Sequence, residues 1–315
     1  MADLIKRVPI PMSGVMLGCA ALGNLLQSYS NAFRYLFGII SFLLLVLLIL
    51  KITIYPSNVK EDLKNPIMMS VSATFPMGVM LLSVYIKPFF GSMALIIWLL
   101  AIAIHLLLIC AFTYRFMRKV NFKNVYASYF IVYVGIAAAG VTSPAYQMTL
   151  IGTAAFWFAF ISFIGLLLLV GYRYVKYSEI PEPAKALFCI FAAPGSLCLS
   201  AYLQSVEEKN LSFVIGLAVL SFALYVLVIA KLIPLLRLPF YPSYSAFTFP
   251  FVISAIASKQ TAAYIMKNGI EALYLQPVIG VQTILAVLLV CYTLLRYSTF
   301  LLQIKVSPAK ARAAQ

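Results

Sequence analysis

Phe42-Leu43-Leu44-Leu45-Val46-Leu47-Leu48-Ile49-Leu50 contains no polar side chain, and it lies inside a longer apolar stretch at 33–54. About 20 mainly apolar residues in helical form cross the hydrocarbon core of a bilayer. Backbone N–H and C=O groups find no water there, so the run must satisfy them internally, as an α-helix does. Residues 33–54 therefore read as a transmembrane helix. Nine further runs of similar length flank it, at 9–28, 66–86, 89–113, 125–141, 149–172, 184–205, 211–234, 240–260 and 274–300. The run at 125–141 is the weakest, being short and ending in the turn signal from Gly140 to Pro144. The longest polar connections, around 55–65, 114–124 and 173–183, hold only about ten residues each. None can fold as a domain, so residues 1–315 read as a single all-α integral membrane domain of ten transmembrane helices.

Composition agrees. Of the 315 residues, 64% are hydrophobic and 10% charged, and the mean hydropathy is +1.02. A soluble domain carries about 25% charged residues. The net charge of +15 would fit nucleic acid if it formed a basic face with interleaved aromatics, but it sits in short segments between apolar runs. That is the pattern of topology signals. With the N-terminus inside, the inner segments hold 18 Lys and Arg, among them Lys6, Arg7, Arg115, Arg118, Lys119, Lys305, Lys310 and Arg312. The outer segments hold five: Arg34, Lys87, Lys209, Lys259 and Lys267. Both termini are accordingly expected in the cytoplasm. Met16-Leu17-Gly18-Cys19 faintly resembles a lipoprotein cleavage box, but Pro9 and Pro11 break the apolar segment before it, and a first transmembrane helix is expected instead.

The ten runs fall into two kinds. The odd-numbered ones carry Pro or Gly within the span: Pro11 and Gly14, Pro76 and Gly78, Gly135, Pro194 and Gly195, and Pro250. The even-numbered ones are smoother and richer in Leu. Proline removes a helical hydrogen bond and kinks the chain, which a membrane tolerates only where the freed groups are buried in protein or line a wet cavity. The simplest arrangement is five helical hairpins, with kinked odd helices forming a central pore and even helices an outer ring. Ser13, Gly14, Ser72, Thr74, Ala137, Ser196, Ser200 and Ser245 are candidate pore-lining residues, and Pro11, Pro76, Gly135, Pro194, Gly195 and Pro250 the expected kinks.

Chemistry-bearing residues are sparse. No Asp or Glu falls in a span interior, where proton-coupled carriers usually hold one. No buried Lys or Arg is expected to pair with a substrate, and Lys259 is expected to snorkel at an outer helix end. His105 stands alone in the fourth run and reads as a neutral side chain bonded to a neighbouring helix. Cys19, Cys110, Cys189, Cys198 and Cys291 show no metal-ligand spacing and read as small packing residues. No catalytic residue, metal site or cofactor is expected, and the chain does not read as an enzyme.

Three stretches carry a resemblance. Val8-Pro9-Ile10-Pro11-Met12-Ser13-Gly14-Val15-Met16-Leu17-Gly18 resembles a proline-containing entry into a glycine-rich first helix. Ala193-Pro194-Gly195-Ser196-Leu197-Cys198-Leu199-Ser200-Ala201-Tyr202-Leu203 is similar to an Ala-Pro followed by Ser-Ala-Tyr-Leu, and Ser245-Ala246-Phe247-Thr248-Phe249-Pro250 to an Ala-aromatic-Ser/Thr-Phe segment. Together, in this order, they resemble the family of bacterial tellurite-resistance TehA proteins, plant slow-type guard-cell anion channels and fungal malate transporters. The resemblance implies five hairpins around a pore, odd helices inside, with Phe249 as a phenylalanine gate. It also implies passage of small anions, assembly as a homotrimer with one pore per protomer, and residence in the bacterial cytoplasmic membrane. The alternative it leaves is a secondary transporter, uniporter or exporter, of C4-dicarboxylates or tellurite-type oxyanions.

Overall fold

Several helices start where a short polar side chain stands ready to take up an unpaired backbone N–H. Ser30 accepts from Ala32 N, Asn65 from Ile67 N and Asn210 from Phe213 N, at 3.2, 2.8 and 3.0 Å. In the computed structural model, which describes residues 2–177 and 179–302, these caps open three of thirteen α-helices. Lys305, Lys310 and Arg312 of the charge count lie outside the described residues.

Helix α1 (Ala2–Arg7) turns through Pro9 and Pro11 into α2 (Met12–Leu26), and α3 (Asn31–Ile54) returns beside it. The short α4 (Pro56–Asp62) precedes α5 (Pro66–Ser72) and α6 (Thr74–Phe112). Next come α7 (Tyr129–Val134), α8 (Ala137–Thr142) and the long α9 (Thr149–Lys176). A 3₁₀ segment, Glu182–Ala192, leads into α10 (Ala193–Ser205), which α11 (Leu211–Leu236) follows. A second 3₁₀ segment, Pro242–Phe247, leads into α12 (Phe249–Lys267), and α13 (Gln276–Leu302) completes the described chain. No β-strand occurs among the described residues.

Among the described residues, six stretches are long and apolar enough to cross a membrane, one of them the 52-residue Pro66–Met117. That stretch turns at Phe90 (φ −129°, ψ 25°) and Gly91 (φ 13°, ψ −94°), so the boundary expected near residues 86–89 falls slightly later. Pro88 stays within the helix. Helix α12 also runs beyond the expected residue 260, to Lys267.

Burial separates the helices into two kinds. In the most apolar part of Glu182–Ser205, 94% of residues are buried, against 28–39% in the other five stretches. Every residue of α2 is buried except Asn24. By contrast α3, α9, α11 and α13 bury one stripe each and expose large apolar side chains such as Leu43, Ile161, Leu168, Val219 and Leu288. Apolar surface this extensive is stable only against lipid or another apolar surface.

The well-buried elements pack in a closed cycle: α2 on α6, α5–α6 on α7–α8, α8 on α10, α10 on α12, and α12 back on α2. The exposed helices lean on this cycle, α3 on α2, α9 on α8 and α10, α11 on α10 and α12, α13 on α12 and α2. Donors on α3 and α6 tie these elements together. Ser41 Oγ donates to the Met16 carbonyl at 2.8 Å and Tyr85 Oη to the Ala20 carbonyl at 2.6 Å. Trp98 Nε1 donates to Thr142 Oγ1 at 2.7 Å. His105, wholly buried, donates from Nε2 to the Val132 carbonyl at 2.9 Å, just where α7 gives way to α8.

Two expectations change. Cys110 is exposed rather than packed, because it lies on the outward face of α6. Two cations are buried: Arg173 at 1% exposure and Lys51 at 5%, at the C-terminal ends of α9 and α3. The Arg173 guanidinium donates to the carbonyls of Tyr177, Glu179 and Lys123 and faces the rings of Tyr126 and Tyr174. The chain just after α9 and the segment around Lys123 and Tyr126 close over it, and the second of these is a long-range contact that a local charge pattern does not reveal. Lys259, placed within α12 rather than at its end, contacts Ser28 Oγ and faces the Tyr29 ring.

Candidate functional site

The buried cycle is built from interrupted helices. Between α5 and α6 the break falls at Ala73, between α7 and α8 at Gly135 and Ile136, and before α10 and α12 a 3₁₀ segment changes to α-helix. Pro194 and Pro250 occupy the first turn after the change, and Pro76 the first turn of α6. Proline is well suited there, since its missing N–H would have no partner anyway. So these prolines start helices rather than bend them. Pro11 likewise sits at the cap of α2, Gly135 closes α7, and Gly195 makes room for the Ser221 hydroxyl of α11.

Thr248 makes the sharpest of these breaks (φ −100°, ψ −92°). Its hydroxyl donates to the Ser245 carbonyl at 2.7 Å and lies 3.0 Å from the Gly14 carbonyl. Close approach to α2 requires glycine on the opposing face. A Cβ at Gly18 would stand 2.5 Å from Thr248 Cβ, and one at Gly14 2.9 Å from Ser245 Cβ. Phe249 follows immediately.

Two cavities lie within the cycle. The first, about 40 Å³, is lined from every member of the cycle. Gly14 and Leu17 face it from α2, Thr74 and Met77 from α5–α6, Ile131 and Gly135 from the third member, Ile190 and Pro194 from the fourth, and Ser245 and Phe249 from the fifth. The second, about 130 Å³, is lined by Ala21 and Asn24, Leu81, Ala138 and Val141, Leu197, and Phe249, Ile253 and Gln260. The same five members therefore surround both. Two residues, Leu197 and Phe249, line both cavities and stand between them. Neither lining includes Asp, Glu, Lys, Arg or His.

Phe249 differs from its neighbours. Phe247 and Phe251 are wholly buried and pack against the rings of Tyr244 and Tyr225. Phe249 is 7% exposed and is in no ring-to-ring contact among the described residues.

Of the candidate lining residues, Gly14, Thr74 and Ser245 meet at the first cavity with Phe249. The others sit elsewhere. Ser13 lies behind Thr74, 2.6 Å between their hydroxyl oxygens, and donates to the Ile10 carbonyl. Ser72 donates to the Met69 carbonyl of its own helix. Ala137 is buried one residue before the lining Ala138. Ser196 donates to the Ala192 carbonyl at 3.1 Å, a carbonyl it shares with Ser254. Ser200 donates to Gln260 Oε1 at 2.7 Å, behind the second cavity. These serines mostly satisfy carbonyls left over at the breaks, so helical spacing alone did not separate bonding from lining hydroxyls. Leu197, Asn24 and Gln260 escaped sequence reading. Leu197 belongs to an apolar helix in which every neighbour looks alike, while Asn24 and Gln260 are polar residues inside buried spans and gave the signal that was available.

A family model described as voltage-dependent anion channel, SLAC1, matches residues 7–298. No curated protein matched the chain. The match takes in all five members of the cycle, and the chain belongs to the SLAC1 family of voltage-dependent anion channels.

Proposed function

From that membership, we propose that the protein conducts small anions along the axis of the buried cycle, with Phe249 and Leu197 closing the path between the two cavities. In this reading the chain crosses the bilayer ten times as five hairpins, the interrupted odd spans inside and the continuous even spans facing lipid. The observation that carries it is the pair of cavities surrounded by the same five elements and meeting only at Leu197 and Phe249.

The breaks do not by themselves set the sign of the ion. The α-helical parts of α6, α10 and α12 begin at Thr74, Ala193 and Phe249, each a lining residue, but the C-terminal ends of α5 and of the two 3₁₀ segments abut them and offset their dipoles. A path without charged side chains leaves an ion weakly held, which suits conduction. Basic residues at the inner ends of the spans raise the local anion concentration there.

Reconstitution into a planar bilayer with unequal chloride or nitrate on the two sides tests the reading. Macroscopic ohmic current whose reversal potential follows the anion gradient, and not a potassium gradient, is expected. A slow flux that saturates and carries C4-dicarboxylate or tellurite-type oxyanion instead would favour the transporter alternative.

A further inference from the structure

A third cavity lies outside the cycle. It opens between α11 and α13, with α10 and α12 as its floor, and encloses about 420 Å³. Pockets for small molecules span about 300–1,000 Å³. Its mouth is formed by side chains exposed on the apolar outer face, Val219 at 64% and Phe222 at 44%. An occupant therefore arrives laterally from the bilayer. Asp, Glu, Lys, Arg and His are missing from the lining, so nothing there would hold a charged group.

The floor is not simply greasy. Thr261 and Gln282 both line this cavity, and their buried Oγ1 and Oε1 have no hydrogen-bond partner among the described residues. Thr261 and Gln282 are 4% and 2% exposed. Buried polar atoms are almost always paired, so two orphans in one cavity point to a ligand that supplies their partners. An alkyl chain supplies none. An ester accepts from the Thr261 hydroxyl but gives nothing to Gln282 Oε1. A hydroxyl group does both, donating to the amide oxygen and accepting from the threonine.

We propose that this cleft binds a neutral, hydroxyl-bearing membrane lipid with a single acyl chain, of the monoacylglycerol class. The chain lies between α11 and α13, and a hydroxyl bridges Thr261 and Gln282. The site backs onto α12, the helix that begins at Phe249, but its occupancy is read by binding and does not depend on the conduction proposed above.

The test is photolabelling of the reconstituted full chain with a diazirine-bearing monooleoylglycerol. Label is expected in peptides covering 215–222 and 275–282, displaced by unlabelled monooleoylglycerol and not by a hydrocarbon of equal length. Gln282→Leu is expected to cut labelling about fivefold, the scale of one buried hydrogen bond. Ala218→Phe, which fills the cleft, is expected to abolish it. Thr261→Val removes a hydroxyl with little change of shape, so the test survives if the bulkier variants fail to fold. Label spread evenly over the lipid faces of α3 and α9, or unchanged in all three variants, overturns the proposal. So does a result in which the variants dissociate an oligomer and leave labelling untouched, since a second copy of the chain would then occupy the cleft.

Discussion

Phe247, Phe249 and Phe251 alternate along five residues of broken backbone, and their surroundings differ. Phe251 packs against Tyr225 and is wholly buried. Phe251→Ala is expected to destabilise the protein by about 3–5 kcal/mol, as large-to-small core changes do. It should leave conductance per correctly folded channel unchanged; thermal unfolding in detergent alongside single-channel recording checks both. Leu197, like Phe249, lines both cavities. Leu197→Ala is expected to raise anion current by a smaller factor than removal of the Phe249 ring, read from macroscopic current normalised to incorporated protein. Sequence made Phe249 visible only through the segment at 245–250; composition alone offers 23 phenylalanines and no way to choose. Leu197 was not legible, because its role arises from what lies opposite it.

At the scale of elements, the interruption matters more than the proline. Pro194 stands in the first turn of α10 and Pro250 in that of α12. Pro194→Ala is expected to cost no more than about 1 kcal/mol, since proline there acts mainly on the unfolded chain. A proline at Leu199, inside α10, is expected to cost about 3 kcal/mol or more. Comparison of the two unfolding temperatures checks the placement. The α7–α8 break has no proline and is held from outside by His105, whose Nε2 takes up the Val132 carbonyl. His105→Ala leaves that carbonyl buried and unpaired and is expected to cost about 1–3 kcal/mol. Proline positions in the sequence marked where the spans are interrupted. They did not show that 3₁₀ segments precede α10 and α12, because both conformations bury the same apolar residues, nor that the serines around the breaks bond to freed carbonyls.

At the scale of the whole molecule, the division into buried and exposed helices was legible in the sequence, since the smoother, Leu-rich runs, with few Gly and Pro, became the exposed helices α3, α9 and α11. Burial of Arg173 and Lys51 was not, because Lys123 and Tyr126 reach Arg173, and Lys6 reaches Lys51, from distant segments. The excess of Lys and Arg in alternate connections predicts an N-terminus in the cytoplasm. A tag attached there should resist protease added to the outside of intact cells and be cut after permeabilisation. Since the proposed path is enclosed by one chain, a homotrimer of the kind that the family resemblance implies would hold three independent paths, and subunit mixing should scale current linearly.

The most direct measurement compares anion current through the parent protein and Phe249→Ala in the same planar bilayer under a nitrate or chloride gradient. If the ring closes the path, the parent is silent or nearly so. The variant then passes current at least about tenfold larger, the effect of lowering a barrier by about 1.4 kcal/mol, with a reversal potential set by the anion gradient. Equal currents from the two proteins, or none from either when both are folded and inserted, would contradict a pathway closed at Phe249.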